Sequence, residues 1–526
     1  MPDDASAKTP SAKTHRQTHG RTHGTTDRLL VLAAVCLAGL GMPLSFTGPA
    51  IALPAIGRSL GSDPLLLSWA VNAFILAFGG SVMAAGALAD QYGRKRVFAI
   101  GIGLFAGLSV LLALSPNLWW LDVARAAQGV AAALTMSAGA ASLAQEFEGP
   151  ARTRAYSLLG TTFGLGLAFG PLLCAWLVEA FGWRAVFLST AALGSLVFVV
   201  GVPRMRETRD PGAQGLDLPG SLSFTAALVL LTFGIIEAPR PDSGFAPPLL
   251  ATAAIAMLAL FVWVEWRAPR PMLDLSLFRN PRFLGAQALP LATALCYVVL
   301  LIFLPLRLVG VEGRGEVASG LLMVPLSAPM LAVPFLGALL TRWFSPGLLS
   351  AVGLGIASVG LLWLRAVAAP GAAWSALAWP LLLIGAGAGL PWGLMDDLAV
   401  SVVPKERAGM ATGFFTTTRV AGEAIAMAAV GAVLTALIEG RLAQVPHDQA
   451  VAAASNLATG DMAHAARAAP AMAHEALLHG YAVAFGSLLG GLAVLTGALA
   501  LLSFVLLRRP RRVTSASLAR ESCPAA

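Results

Sequence analysis

Charged side chains are scarce in this chain. Of its 526 residues, 12% are Asp, Glu, Lys or Arg and 57% are hydrophobic, and the mean hydropathy is +0.76. A soluble domain carries about twice that charged fraction, so there is too little polar side chain to clothe a water-facing surface. Cysteine is scarce as well. Cys36, Cys174 and Cys296 lie within apolar runs and Cys523 near the end of the chain, with no Cys-x-x-Cys among them. That spacing gives no disulfide framework and no thiolate metal site. Also missing are a Walker sequence, a Rossmann glycine cluster, a zinc pattern and a catalytic triad. The sequence points away from an enzyme and from ATP as an energy source, and it implies no cofactor and no metal.

What is present is a succession of apolar runs. Fourteen fall near 29–56, 66–89, 97–115, 118–145, 155–180, 184–203, 219–238, 247–266, 283–308, 317–341, 347–366, 375–402, 408–437 and 479–507. Each approaches or exceeds the roughly 20 residues that a helix needs to cross a bilayer. The expected fold class is therefore all-α and polytopic, with the lipid bilayer as solvent. The net charge of +8 does not mark a nucleic-acid surface, because the basic residues cluster in short loops and tails. Loops after the even-numbered runs hold most of them, among them Arg94, Lys95, Arg96, Arg204, Arg206, Arg279, Arg282 and Arg342. By the positive-inside rule both termini are expected in the cytoplasm. The first 28 residues are polar, so the first apolar run is expected to direct insertion itself. His15, His19 and His23 recur every fourth residue, but Gly20 and Gly24 oppose the helix that would align them, which leaves a disordered basic tail.

The stretch Gly337-Ala-Leu-Leu-Thr-Arg342 echoes Gly86-Ala-Leu-Ala-Asp90-Gln91. The echo pairs runs 1–6 with runs 9–14 and leaves 7 and 8 as an inserted pair. The expected organisation is a disordered tail over 1–28, a six-helix bundle over 29–203 and a linker with two inserted helices over 204–282. A second six-helix bundle over 283–507 carries an Ala-rich external loop at about 438–478, and a tail covers 508–526. Two parallel halves around a midplane site is a common transporter plan.

Several polar groups stand out against this apolar background. In the turn Gly86-Ala-Leu-Ala-Asp90-Gln-Tyr-Gly93-Arg94-Lys95-Arg96, an acid ends one helix and three bases begin the next. Each charge lies at the unfavourable pole of its own helix dipole, so Asp90 is expected to seek Arg94 or another helix N-terminus, with Gly86 and Gly93 allowing close approach and a sharp reversal. In the fourth run Asp122, Arg125 and Gln128, followed by Gly129, share one helical face. An intramembrane Arg should face the bundle interior, either for function or satisfied by backbone carbonyls as a structural group. In the fifth run Gly166, Gly170 and Pro171 combine close helix packing with a kink. Asp396 and Asp397 lie in the cytoplasmic third of the twelfth run, and Arg419 and Glu423 are four apart in the thirteenth, able to form a neutralising pair.

The turn, with its Gly-x-Leu-x-Asp-x-x-Gly-Arg-Lys spacing, resembles the signature loop of the major facilitator superfamily, where it acts as a conformational latch. Arg125-Ala-Ala-Gln128-Gly129 resembles a motif implicated in proton handling, and Gly166-x-x-x-Gly170-Pro171 resembles the antiporter motif, with Cys174 and Ala175 in place of its usual glycine pair. The resemblance is sharpest to the fourteen-helix branch of drug:proton antiporters, supported by Trp69, Trp183-Arg-Ala-Val-Phe187 and Leu277-Phe-Arg-Asn280. It departs at Ser45, where that branch places an acid.

The resemblance implies a 6 + 2 + 6 major facilitator fold in a bacterial plasma membrane, expected as a monomer. It would export small amphipathic molecules in exchange for protons, with the proton gradient as energy source. Proton coupling is expected at Asp396 or Asp397, with Glu423, Asp122, Arg125 and Arg419 as the other candidates. Phe46, Asn72, Gln128, Trp392, Met395 and Phe415 are expected to line the substrate cavity. The alternatives are a proton-coupled importer or lipid flippase on the same fold, or a transport-inactive membrane sensor or scaffold.

Overall fold

The computed structural model describes residues 25–147, 149–209, 218–238, 244–267, 275–401, 408–442 and 444–507. The expectations placed on residues 1–24 and 508–526 lie outside these residues. Every apolar run is helical. The helices are α1 (Thr25–Leu60), α2 (Pro64–Tyr92), α3 (Arg94–Ala113), α4 (Leu118–Glu146), α5 (Gly149–Phe181), α6 (Arg184–Gly201), α7 (Leu218–Glu237) and α8 (Ala246–Arg267). Then come α9 (Pro281–Val311), α10 (Glu316–Leu340), α11 (Pro346–Val367) and α12 (Trp374–Ala399). The series ends with α13 (Ala408–Glu439), the short α14 (His447–Ala458) and α15 (Met462–Ala468), and α16 (His474–Leu507).

Among the described residues, eleven helices are long and apolar enough to cross a membrane, or twelve if the bent α5 is one span. α4, interrupted by Asp122 and Arg125, and the shorter apolar part of α7 fall outside that set.

The starts and stops follow local chemistry. Asp63 accepts the Leu65 N–H and Pro64 supplies a preset first turn for α2. Asn117, Asn280 and Ser345 cap α4, α9 and α11 in the same way. Gly93, at φ +112°, reverses the chain between α2 and α3 in a conformation that L side chains rarely adopt.

α1–α6 pack on one another, chiefly α2 on α4, α1 on α5, and α3 on α4 and α6. α9–α13 and α16 form a second set, with α11 against α12 and α16. α7 pairs with α8 and also touches α2 and α13, so it lies along the seam between the two sets. There the Thr225 hydroxyl donates to the Gly80 carbonyl at 3.0 Å, and Trp69 meets Phe233 with ring centroids 5.8 Å apart.

The face that carries the start of α1 and the end of α16 is called the near face here, and the opposite one the far face. The Ala-rich stretch after α13, expected as a loop, contains two short helices. α14 buries Ala450, Val451, Ala453, Ala454 and Leu457, and Asp461 caps α15 by accepting the His464 N–H.

Candidate functional site

Three polar clusters and one pocket occupy the interior and rim of these two helix sets. On the near face, Arg94 donates from Nε and Nη2 to Asp90 Oδ1 at 3.1 and 2.8 Å. Asp90 thus finds the partner that its place at a helix C-terminus demands. The Arg94 N–H donates to the Thr208 carbonyl at 2.9 Å, and Arg96 pairs with Glu207 at 3.5 Å. The turn is therefore tied to the segment that follows α6. Gly93 has the reversal role expected of it. Gly86 has open space beside it, so no close helix approach depends on it in this conformation.

Inside the first set, Arg125 is completely buried. Its Nε donates to the Ala70 carbonyl at 2.9 Å and its Nη1 to Gln128 Oε1 at 2.6 Å. Gln128 in turn donates to Ser109 Oγ at 2.7 Å, and the guanidinium lies 4.4 Å from the centre of the Phe74 ring. Gly129 brings α4 so close to the Phe74 carbonyl that a Cβ has no room. This network joins α2, α3 and α4. It leaves Arg125 Nη2 and both Asp122 carboxyl oxygens buried without a hydrogen-bond partner among the described residues. Asp122 and Arg125 share a helical face as expected, yet no ion pair joins them.

In the second set the expected pairing changes. Arg419 meets Asp396 across α12 and α13 at 3.5 Å, not Glu423. Asp396 and Asp397, in the cytoplasmic third of the twelfth run by the sequence, are exposed. The helix breaks at Gly393 and Leu394, and Met395–Ser401 restarts as a separate short segment that turns both carboxylates outward. Glu423 is the buried acid, with 8% exposure and neither a hydrogen bond nor an ion pair among the described residues.

The α5 motif works as close packing against α1. A Cβ on Gly166 would lie 2.8 Å from the Leu40 carbonyl, and one on Gly170 3.2 Å from Thr47 Oγ1. α5 bends by 44° between Leu158–Leu167 and Phe169–Phe181, and Pro171, lacking the N–H that would bond one turn back, follows that break. Ala175 faces Gly320 of α10, so a small residue is needed there. Ser45 donates to its own helix at the Gly41 carbonyl, 3.0 Å away, and supplies no carboxylate.

Of the six expected cavity residues, only Asn72 lines the pocket of about 270 Å³ found between α2, α9, α13 and α14. Gln128, Met395 and Phe415 are fully enclosed and Phe46 is buried, packed at 6.3 Å from Phe163. These four are buried in this conformation and do not line that pocket. Trp392 is half-buried against Tyr297, at 6.1 Å between ring centres.

Two groups escaped the sequence reading. Arg307 and Arg314 both donate to Glu312, at 2.8 and 2.9 Å, and also to the Ala368 and Ala372 carbonyls at 2.7 and 3.0 Å. This brace ties the end of α9 to the turn before α12. At the join between the two sets, the Val317 N–H donates to Glu179 at 3.0 Å, and Arg58 approaches Glu316 at 3.8 Å. Glu179 thus caps α10 from the opposite set. Such long-range caps leave no local sequence signal.

Residues 33–427 match the family described as Major Facilitator Superfamily. Multidrug resistance protein Stp of Mycobacterium tuberculosis is 33% identical over 427 residues, covering 79% of this chain and 77% of Stp. Drug efflux pump JefA of the same organism is 31% identical over 437 residues, covering 80% of this chain and 83% of JefA. Cephamycin export protein CmcT of Amycolatopsis lactamdurans is 33% identical over 414 residues, covering 77% of this chain and 84% of CmcT. Among solved structures, a bacterial homologue of the human lysosomal transporter Spinster, inward-facing and unoccupied, aligns with a TM-score of 0.65 at 17% identity. That alignment covers 92% of this chain and 98% of the other.

Proposed function

The chain belongs to the major facilitator superfamily, as a multi-pass membrane transporter and not an enzyme, and we propose that it exports small amphipathic molecules across a bacterial plasma membrane in exchange for protons. The reading takes all fourteen apolar helices as spans, in two six-helix halves over 29–203 and 283–507 with α7 and α8 inserted between them. Both termini lie in the cytoplasm, so the near face is cytoplasmic, and the unit is a monomer. Relatives named as drug and antibiotic exporters, aligned over about four fifths of the chain, support the direction and the substrate class.

The observation that carries the proton part is the pair of buried acids, one in each half. An ionised carboxylate in an apolar interior is costly without a cation or a donor. Asp122 and Glu423 each lie near an arginine of the same helix, Arg125 and Arg419, yet no ion pair or hydrogen bond engages either carboxylate among the described residues, so these two acids are the proton-carrying candidates. Arg419, four residues before Glu423 on one helical face, has an alternative partner in Asp396. When Glu423 holds a proton, Arg419 pairs with Asp396, as the structure has it. When Glu423 releases the proton, Arg419 turns back to neutralise it and Asp396 is left to water. The proton leaves toward the near face, beside the exposed Asp396, and no acid at Ser45 is required.

Among the described residues, three contacts between the halves lie at the far face or midway. The Glu179 cap on α10 and the Arg58–Glu316 approach are at the far face, and Gly79 against Ala421 is midway. That distribution supports a state closed to the outside, from which rocking about α2–α13 and α5–α10 would expose the far face. The Asp90–Arg94 latch, formed here together with its ties to the segment after α6, would hold this state.

The test is substrate-induced proton release from purified protein in detergent, with Asp396→Asn, Asp397→Asn, Asp122→Asn and Glu423→Gln compared. Loss of release in Glu423→Gln, with folding kept, supports this assignment. Release that survives in Glu423→Gln and Asp122→Asn and vanishes only in the exposed aspartate variants returns the proton to Asp396 or Asp397.

A further inference from the structure

The pocket of about 270 Å³ lies toward the far face, and the proton cycle above makes no use of it. Its floor is the first turns of α2, with Ser68 and Asn72. Met427 and Thr435 of α13 form one wall, and Ser455 belongs to α14, which roofs it. Both helix sets and the external helix contribute, so the pocket is complete only while α2 and α13 are together.

Its chemistry is one-sided. Asp63 is the one charged residue among the described lining residues, and no Lys, Arg or His faces the space. Asp63 is exposed at the rim, where one oxygen caps α2 by accepting the Leu65 N–H at 2.8 Å. Deeper in, Asn72 is 6% exposed. Its Nδ2 donates to the Ser68 carbonyl at 3.0 Å, but its Oδ1 is buried with no donor. A buried acceptor left unpaired is destabilising unless a ligand or water completes it. The rest of the lining is mainly aliphatic, as in a site that holds an apolar body by burial and orients it with few polar groups.

We infer that this pocket is a binding site for cationic amphipathic small molecules at the outer end of the transport path. Asn72 Oδ1 accepts a hydrogen bond from the ligand, Asp63 faces its positive charge, and α14 closes over it. The inference rests on the export reading and adds to it a charge preference and a place of retention before release. A neutral or anionic amphipath meets no counter-charge there and is held by burial alone.

The experiment uses the full chain in detergent, with ethidium as the cationic probe and Nile red as the neutral one, both followed by fluorescence. Three variants are compared after a thermal-unfolding check. Asp63→Asn keeps a helix-capping side chain, Asn72→Leu removes the acceptor, and Ala432→Phe fills the space beside Gly431. Asp63→Asn is expected to weaken ethidium binding by about fivefold, on the order of one charge pair at a half-wet rim, and to leave Nile red unchanged. Ala432→Phe is expected to abolish both. Because Asp63 is exposed, its variant folds and keeps the test open even if Asn72→Leu does not. Ethidium affinity unchanged in both Asp63→Asn and Ala432→Phe overturns the inference. If the wild-type protein still exports ethidium in that case, the export reading stands without this site. If ethidium binds here but no amphipath moves under a proton gradient, the export reading fails and the site remains.

Discussion

Arg419 is the residue on which the proton cycle turns, because two acids compete for one cation. The sequence places Arg419 and Glu423 one turn apart, and that spacing suggests a fixed neutral pair. The structure instead gives Arg419 to Asp396 and leaves Glu423 buried. The helix break at Gly393 and Leu394, which exposes the aspartates, is a tertiary packing outcome that no local pattern encodes. Neutralising Glu423 removes the group that needs the proton, so Glu423→Gln should suppress substrate-induced proton release while keeping substrate binding. Asp396→Asn should instead shift the pH dependence of release, because Arg419 then has only Glu423 to pair with. Indistinguishable pH profiles for wild type and Asp396→Asn would count against the exchange.

At the same scale, Asp90–Arg94 is partly exposed and worth about 0.5 kcal/mol as an ion pair. Asp90→Asn should therefore express and melt like wild type yet transport poorly, since a bias of that size between two states changes their ratio about twofold. Near-normal transport by that variant defeats the latch.

Among the elements, α5 was the most legible. Its Gly166, Gly170 and Pro171 spell close packing and a kink, and the helix does pack on α1 and bend by 44°. Pro171→Ala restores a backbone hydrogen bond and should straighten α5, stabilising the helix while loosening coupling. Proton flux in proteoliposomes without substrate should rise. Unchanged, tightly coupled flux would show that the bend arises elsewhere. α14 was the least legible. An Ala-rich stretch offers few large apolar side chains to mark a buried face, and its small side chains become meaningful only because they let the helix sit down over α13. The π-helical segments of α9, Ala294–Val298 and Leu306–Val311, were equally hidden, since an added residue per turn is a packing adjustment. The second of them leads into the Arg307–Glu312–Arg314 brace. Breaking that brace with Glu312→Gln leaves Arg307 buried beside a neutral partner and should lower stability by about 3 kcal/mol. A melting temperature equal to wild type would show the brace to be dispensable.

For the whole molecule, the apolar runs made the helix series legible, because a bilayer leaves few alternatives to helices. What they left unread is which end of the seam is closed. That depends on contacts such as Val317 with Glu179, made between segments more than a hundred residues apart. Closure at the far face predicts that Glu179→Gln, which weakens the cap on α10, favours the outward-open state and speeds labelling of a far-face cysteine placed at Val317. The central claim, proton-driven export, is tested most directly in proteoliposomes that carry the near face outward and hold an acidic lumen. The account predicts that ethidium accumulates in the lumen, that a protonophore abolishes the accumulation, and that Glu423→Gln shows none. Accumulation that ignores the pH gradient, or that persists undiminished in folded Glu423→Gln, would contradict it.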